Sequence, residues 1–344
     1  MTEMTPFELD IAEQPAALRR LAEADLPQLE AITGRPWDRI VLTGMGSSDY
    51  VGIPTWRTLT ALGLPALIID SGQLLDNPGA ITPDTLLIAT SQSGASGEVV
   101  ELLNRRDAGA IAPAALLGIA DPADSPLAEA SDVFLPLQSG PEATVSTKSY
   151  LNSMAVHRLL AAAFAGEPAE RVREDIAGMA RITEQLITGV DVKDIAAATA
   201  LHPQRRLVFV GRGDESATSL FSALITKESS KVPAEGFIGG QFRHGPFELA
   251  GDGLTAVLYG MRQDTPDESL RRLATDLVAT GSQVVLVGDE QIPGALTVRA
   301  NGTSPLSHLA ASSVVAELLA VNLAQANGVV PGEFRYGSKI TTAI

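Results

Sequence analysis

At 344 residues, 45% hydrophobic and 19% charged, the chain reads as a globular protein with a sizeable core and length for two domains of ordinary size. A net charge of −16 argues against nucleic acid as a partner, because neutralising phosphates requires clustered Lys and Arg. The absence of cysteine excludes disulfides, thiolate metal sites and a Cys nucleophile.

The four histidines (His157, His202, His244 and His308) are too scattered in sequence to form a metal-binding pair, so neither a metal nor another cofactor is expected. No run approaches the ~20 apolar residues of a membrane span. The stretch from Met1 to Pro15 carries Glu3, Glu8, Asp10 and Glu13 and has no basic segment. A cytoplasmic protein without membrane contact is the expectation.

Residues 9–31 have helical spacing (Leu9, Ile11, Ala17, Leu18, Leu21, Leu26), with a break expected near Pro15. Arg39 to Thr43 then reads as a strand that runs into the glycine turn Gly44-Met45-Gly46-Ser47-Ser48. Further strands are expected at Ala66–Ile69, Leu86–Ala89, Ala115–Ile119 and Val133–Leu137, alternating with helical stretches. That alternation is the pattern of a parallel sheet covered by helices.

The second half echoes the first at an offset of 167 to 169 residues. Arg206 to Glu215 repeats Arg39 to Ser48, Thr255–Gly260 stands where Leu86–Thr90 stood, and Val284–Asp289 matches Leu116–Asp121. A duplicated α/β domain is the natural reading. Helices over about 149–165 and 169–200 would join the halves. The glycine turns fit neither GxGxxG nor GxxxxGK[ST], so a nucleotide is not the expected ligand.

The segment Ser91-Gln92-Ser93-Gly94-Ala95-Ser96-Gly97 carries the strongest chemical signal. It joins a buried strand directly to a helix that opens at Glu98-Val99-Val100. Hydroxyls and the free N–H groups of the helix meet there, and the dipole favours an anion. A helix cap needs one hydroxyl. Three in six residues, with two glycines, suit a phosphate that must be held and released. The corresponding loop of the second half, Met261-Arg262-Gln263-Asp264-Thr265, lacks the hydroxyls, which assigns anion binding to the first half.

A second constellation lies in the second half. Residues 221–229 read as a helix burying Leu224 and Ile225, with Glu228 near its end. His244 stands sixteen residues later, in a loop marked by Gly239, Gly240, Gly245 and Pro246. A carboxylate and an imidazole are the usual pair for moving protons near neutral pH. From residue types alone, a surface glutamate and a structural histidine are equally open readings.

These motifs resemble, nearly end to end, the sugar isomerase (SIS) superfamily, in particular its tandem-domain branch typified by the isomerase half of glucosamine-6-phosphate synthase. The resemblance is carried by Ile11–Pro15, Gly46-Ser47-Ser48, Ser91–Gly94 with Ser96, Ser146-Thr147-Lys148, Gly211–Asp214, Lys227-Glu228 and Arg243–Pro246, in order. It implies two tandem SIS domains, each a flavodoxin-like three-layer αβα sandwich, over 36–165 and 201–330. A helical segment (1–35), a connector (166–200) and a tail (331–344) would complete the chain.

The resemblance further implies that Ser48, Ser91, Gln92, Ser93 and Ser96 hold a sugar phosphate, and that Ser146 and the backbone near Val145 hold sugar hydroxyls. Glu228 would shuttle a proton between C1 and C2. His244 would open the ring from a neighbouring subunit, which implies a homodimer with shared active sites. Tyr336–Thr341 resembles the segment that closes over the sugar, and Lys339 matches the lysine that forms a Schiff base in the synthase.

Ile225 stands where the synthase has a lysine, and no glutaminase pattern precedes the SIS-like one. The catabolic direction is therefore expected: an isomerising deaminase of glucosamine 6-phosphate. The alternatives are a ketose–aldose isomerase or deglycase of the same fold, and a non-catalytic sugar-phosphate sensor.

Overall fold

The computed structural model describes residues 3–25, 27 and 29–343. Among these, helices α1 (Pro6–Glu23) and α2 (Glu30–Thr33) precede strand β1 (Arg39–Thr43), and α3 (Ser47–Tyr50) and α4 (Gly52–Ala61) lead to β2 (Ala66–Ile68). Then come α5 (Ser71–Asp76), β3 (Thr85–Thr90), α6 (Gly97–Asp107), β4 (Ala115–Ala120), α7 (Pro126–Ala130) and β5 (Val133–Pro136). Helices α8 (Lys148–Ala165), α9 (Ala169–Gly189) and α10 (Lys193–Leu201) come next. The remainder is β6 (Arg206–Gly211), α11 (Glu215–Ser230), β7 (Ala234–Ile238), β8 (Leu254–Met261), α12 (Glu268–Ala279), β9 (Gln283–Gly288), β10 (Leu296–Arg299) and α13 (Pro305–Ala326).

The strands form two wholly parallel five-stranded sheets, ordered β2-β1-β3-β4-β5 and β7-β6-β8-β9-β10. Each sheet starts at its second position and reverses direction after its second strand, so the duplication legible in the sequence is also a duplication of topology. The apolar strands explain the burial. Every residue of β3 is buried, as a central strand covered on both faces requires.

Two compact units hold these sheets, and both are discontinuous in sequence. One comprises Met1–Pro15, Ala143–Thr147 and Gly178–Tyr336; the other comprises Ala16–Glu142, Lys148–Ala177 and Gly337–Ile344. We call the latter the 39–136 unit and the former the 206–336 unit, after the sheets they contain. In the 39–136 unit, Val41, Leu87, Val99, Leu102 and Leu116 form a core between sheet and helices. In the 206–336 unit, Val208, Leu258, Leu270, Leu273 and Leu286 do the same.

Three expectations change. The helix near the N-terminus runs through Pro15 and ends at Glu23; Leu26 lies outside the described residues. Strands β7 and β10 are additional, and both are sheet edges. Their sequences, Ala-Glu-Gly-Phe-Ile and Leu-Thr-Val-Arg, are short and half-polar, as edge strands are, and so carry little strand signal. Finally, α13 is long and apolar enough by length and composition to cross a membrane, with 78% of its most apolar stretch buried inside the protein. Its alternation of Ala and Ser with Leu and Val hid that length in the sequence. Buried Glu317 on α13 accepts both contacts of Gln14 Nε2, at 2.7 and 2.8 Å, within the core of the 206–336 unit.

Behind β3 sits a buried histidine. His157 on α8 is 2% exposed and contacts Thr90 Oγ1 through Nε2 (2.9 Å) and Thr55 Oγ1 through Nδ1 (3.2 Å). The Thr55 hydroxyl donates to the His157 carbonyl, so it accepts from Nδ1–H, and Nε2 accepts from Thr90. Burial lowers the imidazole pKa to about 4. Unfolded, the ring would protonate near its ordinary 6.5, so acid favours the unfolded chain. The 39–136 unit is therefore expected to lose about 3 kcal/mol between pH 7 and pH 4 through this one ring. His157→Asn should flatten that part of the pH–stability curve in urea titrations; an unchanged slope would refute the assignment.

Candidate active site

In an open parallel sheet, the crevice forms at the carboxyl ends of the two strands where the order reverses. In the 39–136 unit that point lies between β1 and β3, and the turns there are Gly44–Ser48 and Ser91–Gly97. The first turn depends on its glycines. A Cβ on Gly44 would lie 2.6 Å from the Ser48 carbonyl oxygen, and Gly46 has φ 55°. That close return places Ser48, half-buried, at the start of the crevice.

The second turn is built by backbone bonds. Ser91 N–H donates to Ile119 O (2.9 Å), Asp121 N–H to Gln92 O (3.0 Å) and Gly94 N–H to Ser91 O (3.0 Å). Gly94 has φ 62°, and a Cβ there would strike Ser125 Oγ at 2.2 Å. The Ser91 and Ser96 hydroxyls face one another at 3.3 Å, and Ser93 Oγ accepts from Ala95 N–H at 3.2 Å. Ser96 occupies the N-cap of α6 yet makes no capping bond. The hydroxyls therefore converge on the turn, the arrangement an anion cradle needs, and Ser48, Ser91, Gln92, Ser93 and Ser96 all belong to this one crevice region.

The chain's end reaches the same place. Gly97 N–H, the first donor of α6, gives its hydrogen to Thr341 O at 3.0 Å. A Cβ on Gly97 would lie 2.7 Å from Thr342 O, so glycine is what lets the tail lie against the helix end. Lys339 is anchored as well: its Nζ sits 2.5 Å from Glu142 Oε2, and the Glu142 side chain is fully shielded from solvent. Ser149 adds bonds to both Glu142 oxygens, from N–H (3.1 Å) and Oγ (2.6 Å). Burial alone would raise the Glu142 carboxyl. The Lys339 charge and the bonds from Lys339 and Ser149 outweigh it and hold the group below its usual range.

Sequence reasoning missed Glu142. Its signal was a lone acid four residues before Ser146, in a stretch otherwise empty of charge until Lys148. Lys148 itself is 2% exposed and donates to Pro141 O at 2.7 Å, which fixes the loop that carries Glu142. Asp49, next to Ser48, was also missed. Its carboxyl is raised to about 6 by burial and by Asp70, and its Oδ1 is buried without a hydrogen-bond partner among the described residues.

The remaining candidates belong to the 206–336 unit. Val145 is buried with Phe7, Ile11 and Val321, and Ser146 is half-buried. Glu228 is half-buried in the last turn of α11, where its carbonyl accepts from Lys231 Nζ. Ile225 is buried as expected, but Leu224 is only half-buried. His244 is exposed between two short 3-10 turns, Gly239–Arg243 and Pro246–Leu249. Glu228 precedes β7 and His244 comes after it, so the two lie beyond opposite ends of a five-residue strand about 16 Å long. No group of three or more His, Cys, Asp or Glu able to hold a metal occurs among the described residues.

The Lys339–Glu142 pair gives a stability expectation. Lys339→Met leaves a buried carboxylate without its counter-charge and should cost about 3 kcal/mol at pH 7. Most of that should return in the Lys339→Met/Glu142→Gln double variant, because a neutral amide can keep the Ser149 bonds. Urea unfolding of the four proteins measures the coupling; strictly additive costs would mean that the pair does not exist in solution.

Residues 35–163 match the SIS domain family. The chain is 27% identical over 345 residues to the isomerizing glutamine–fructose-6-phosphate aminotransferase of Caulobacter vibrioides, covering 94% of this chain and 56% of that protein. It thus spans about half the length of the curated relatives it matches. In structure it is similar to glucosamine-6-phosphate deaminase from Thermotoga maritima, with TM-score 0.73 at 22% identity, covering 98% of this chain and 99% of the other. It is also similar to tagatose-6-phosphate ketose/aldose isomerase from Escherichia coli, with TM-score 0.78 at 21% identity, covering 95% and 94%. The likeness to these two is one of fold. With the family match and the crevice geometry in agreement, the chain carries a SIS domain, formed by residues 35–163.

Proposed function

We propose that the chain is an enzyme of phosphosugar isomerisation, acting on glucosamine 6-phosphate and releasing fructose 6-phosphate and ammonia. One observation carries the reading: a hydroxyl-lined turn at an uncapped helix N-terminus, approached by a tail whose lysine is seated on a buried carboxylate. Neutral hydroxyls and N–H groups suit a phosphate dianion, and the phosphate supplies binding energy remote from the reacting carbons. The names carried by similar proteins, an isomerizing glutamine–fructose-6-phosphate aminotransferase and a glucosamine-6-phosphate deaminase, support this reading. On this reading the 206–336 unit is a second SIS-type repeat.

Catalysis begins at the sugar ring, where His244 assists opening of the pyranose to the free aldehyde. Glu228 takes the proton from C2, the electrons move to the C1 carbonyl, and an enolamine forms. Return of the proton to C1 gives the 2-imine, and water adds to it, releasing ammonia and leaving the ketone. By the resemblance to the SIS family, Ser146 and the backbone at Val145 hold the sugar hydroxyls, and Lys339 leaves Glu142 to approach the carbonyl carbon. As that resemblance also implies, the imidazole comes from a second copy of the chain and the working form is a homodimer; the separation of Glu228 and His244 by β7 supports that reading.

With glucosamine 6-phosphate, wild-type protein should release ammonia and fructose 6-phosphate in equal amounts. Glu228→Gln should lower kcat about a thousandfold while leaving KM within a few-fold. Two inactive variants, Glu228→Gln and His244→Ala, should regain activity when mixed and allowed to exchange subunits. Solvent deuterium entering C1 or C2 without ammonia would instead identify a ketose–aldose isomerase, the activity named for the Escherichia coli neighbour. Neither ammonia nor exchange would sink the enzymatic reading.

A further inference from the structure

The two sheets have the same strand order, so the 206–336 unit has its own switch point, between β6 and β8. Its first turn repeats the glycine geometry of the 39–136 unit. A Cβ on Gly211 would lie 2.0 Å from Glu215 O, as one on Gly44 would lie 2.6 Å from Ser48 O, and Gly213 has φ 60° where Gly46 has 55°. Glu215 therefore occupies the position of Ser48. Beyond a bulge in β8 between Leu258 and Met261, a shared backbone bond extends the equivalence: Asp121 N–H donates to Gln92 O and Asp289 N–H to Met261 O, each at 3.0 Å, which puts Arg262 at the position of Ser93. Where one crevice presents hydroxyls, the other presents a carboxyl and a guanidinium.

That second crevice is a real cavity of about 320 Å³, lined by Arg212, Glu215, Tyr259, Gly260, Arg262 and His308 among others. Glu215 Oε1 accepts from Ser312 Oγ at 2.9 Å; Oε2 is buried short of a well-formed hydrogen bond, with the Thr218 hydroxyl also acting on the carboxyl. A carboxyl oxygen shut away from water in that state is costly unless something completes it. Gly260, at φ 73°, leaves room beside it; a Cβ there would stand 3.2 Å from Glu215 Cγ. Burial, the largest influence, raises the Glu215 carboxyl to about 7, so near neutrality it can offer a proton as well as accept one.

The donors lie around it. His308 Nδ1 accepts the Gly302 N–H at 3.0 Å, which leaves the ring's proton on Nε2. Arg262 is held by Thr265 Oγ1 (2.8 Å from Nε) and faces a largely exposed Asp264 at 3.5 Å, a pairing that a stronger anion can replace. Arg212 is tied to Asp267 at 3.2 Å, which itself caps α12.

We infer that this cavity is a second ligand site, taking a hydroxylated small molecule with one anionic group. Arg262 receives the anion and the Glu215 carboxyl a hydroxyl. The inference departs from the expectation, drawn from the missing hydroxyls of residues 261–265, that the first half alone binds an anion: each crevice would recognise its ligand with different chemistry.

The probe is glucose 6-phosphate, with glucose and inorganic phosphate as partial ligands. Calorimetry should find two sites per chain on the wild type and one on Gly97→Val, whose side chain collides with the tail at Thr342 and distorts the start of α6 beside the first crevice. Adding Arg262→Ala to Gly97→Val should weaken the remaining site at least tenfold, while Arg262→Lys should hold it within a few-fold. Hydrogen–deuterium exchange on the wild type needs no variant: glucose 6-phosphate should protect residues 259–265 as well as 91–97. Protection confined to 91–97, or binding to Gly97→Val that is insensitive to Arg262→Ala, would overturn the inference. Saturation by phosphate alone, equal to that by glucose 6-phosphate, would overturn the hydroxyl role of Glu215.

Discussion

The open N-terminus of α6 is the constraint on which the rest of the candidate site depends. A helix start leaves backbone N–H groups without partners, and proteins ordinarily satisfy them with a capping side chain. Here Ser96 stands at the N-cap and does not cap. Its hydroxyl turns toward Ser91, and the first helical N–H goes to the tail carbonyl of Thr341. The first donor is thus met by the tail, and no side chain caps the helix start. Every other feature of the turn serves that arrangement: Gly94 allows the chain to fold under Ser125, and Gly97 allows the tail to approach.

Duplication explains why the chain has a second crevice, and divergence explains why it differs. The glycine turns after β1 and β6 are under the same steric requirement, since a Cβ on Gly44 or Gly211 would meet backbone that cannot move aside. Divergence is therefore barred at the glycines and free at the positions just beyond them. Ser48 and Glu215 are the outcome at one position, and Ser93 and Arg262 at another. A hydroxyl and a carboxyl of raised pKa both exchange hydrogen bonds with a polyol. They differ in how strongly pH governs the exchange.

Much of this was readable from the residues because buried parallel strands are nearly pure apolar runs. Leu86–Ala89 and Val284–Val287 could be placed within a residue or two. The edge strands β7 and β10 were not, since half their residues face solvent and carry Glu, Thr and Arg. The hydroxyl-rich turn was legible because its serines and glycines are adjacent in sequence. Glu142 was illegible for the opposite reason. An isolated glutamate between Pro141 and Ala143 looks like a surface residue until the fold buries it and lays Lys339, 197 positions away, on top of it. Sequence spacing holds no record of such a pairing. The cavity at Glu215 was hidden in the same way, because the loop after β8 reads as an ordinary charged surface turn.

The positions of Glu228 and His244 show how far a single chain can take the chemistry. Proton transfer at carbon needs its base within hydrogen-bonding distance of the reacting atom, and ring opening needs its acid equally close to the ring oxygen. The α11 helix and β7 run in opposite directions along the sheet, so residues at the end of the helix and after the strand diverge by the strand's full length. Rotamer changes of a glutamate and a histidine recover only a few ångströms of that. On the proposed reading, the exposed His244, carried between two short turns, is supplied to that site by a second copy of the chain.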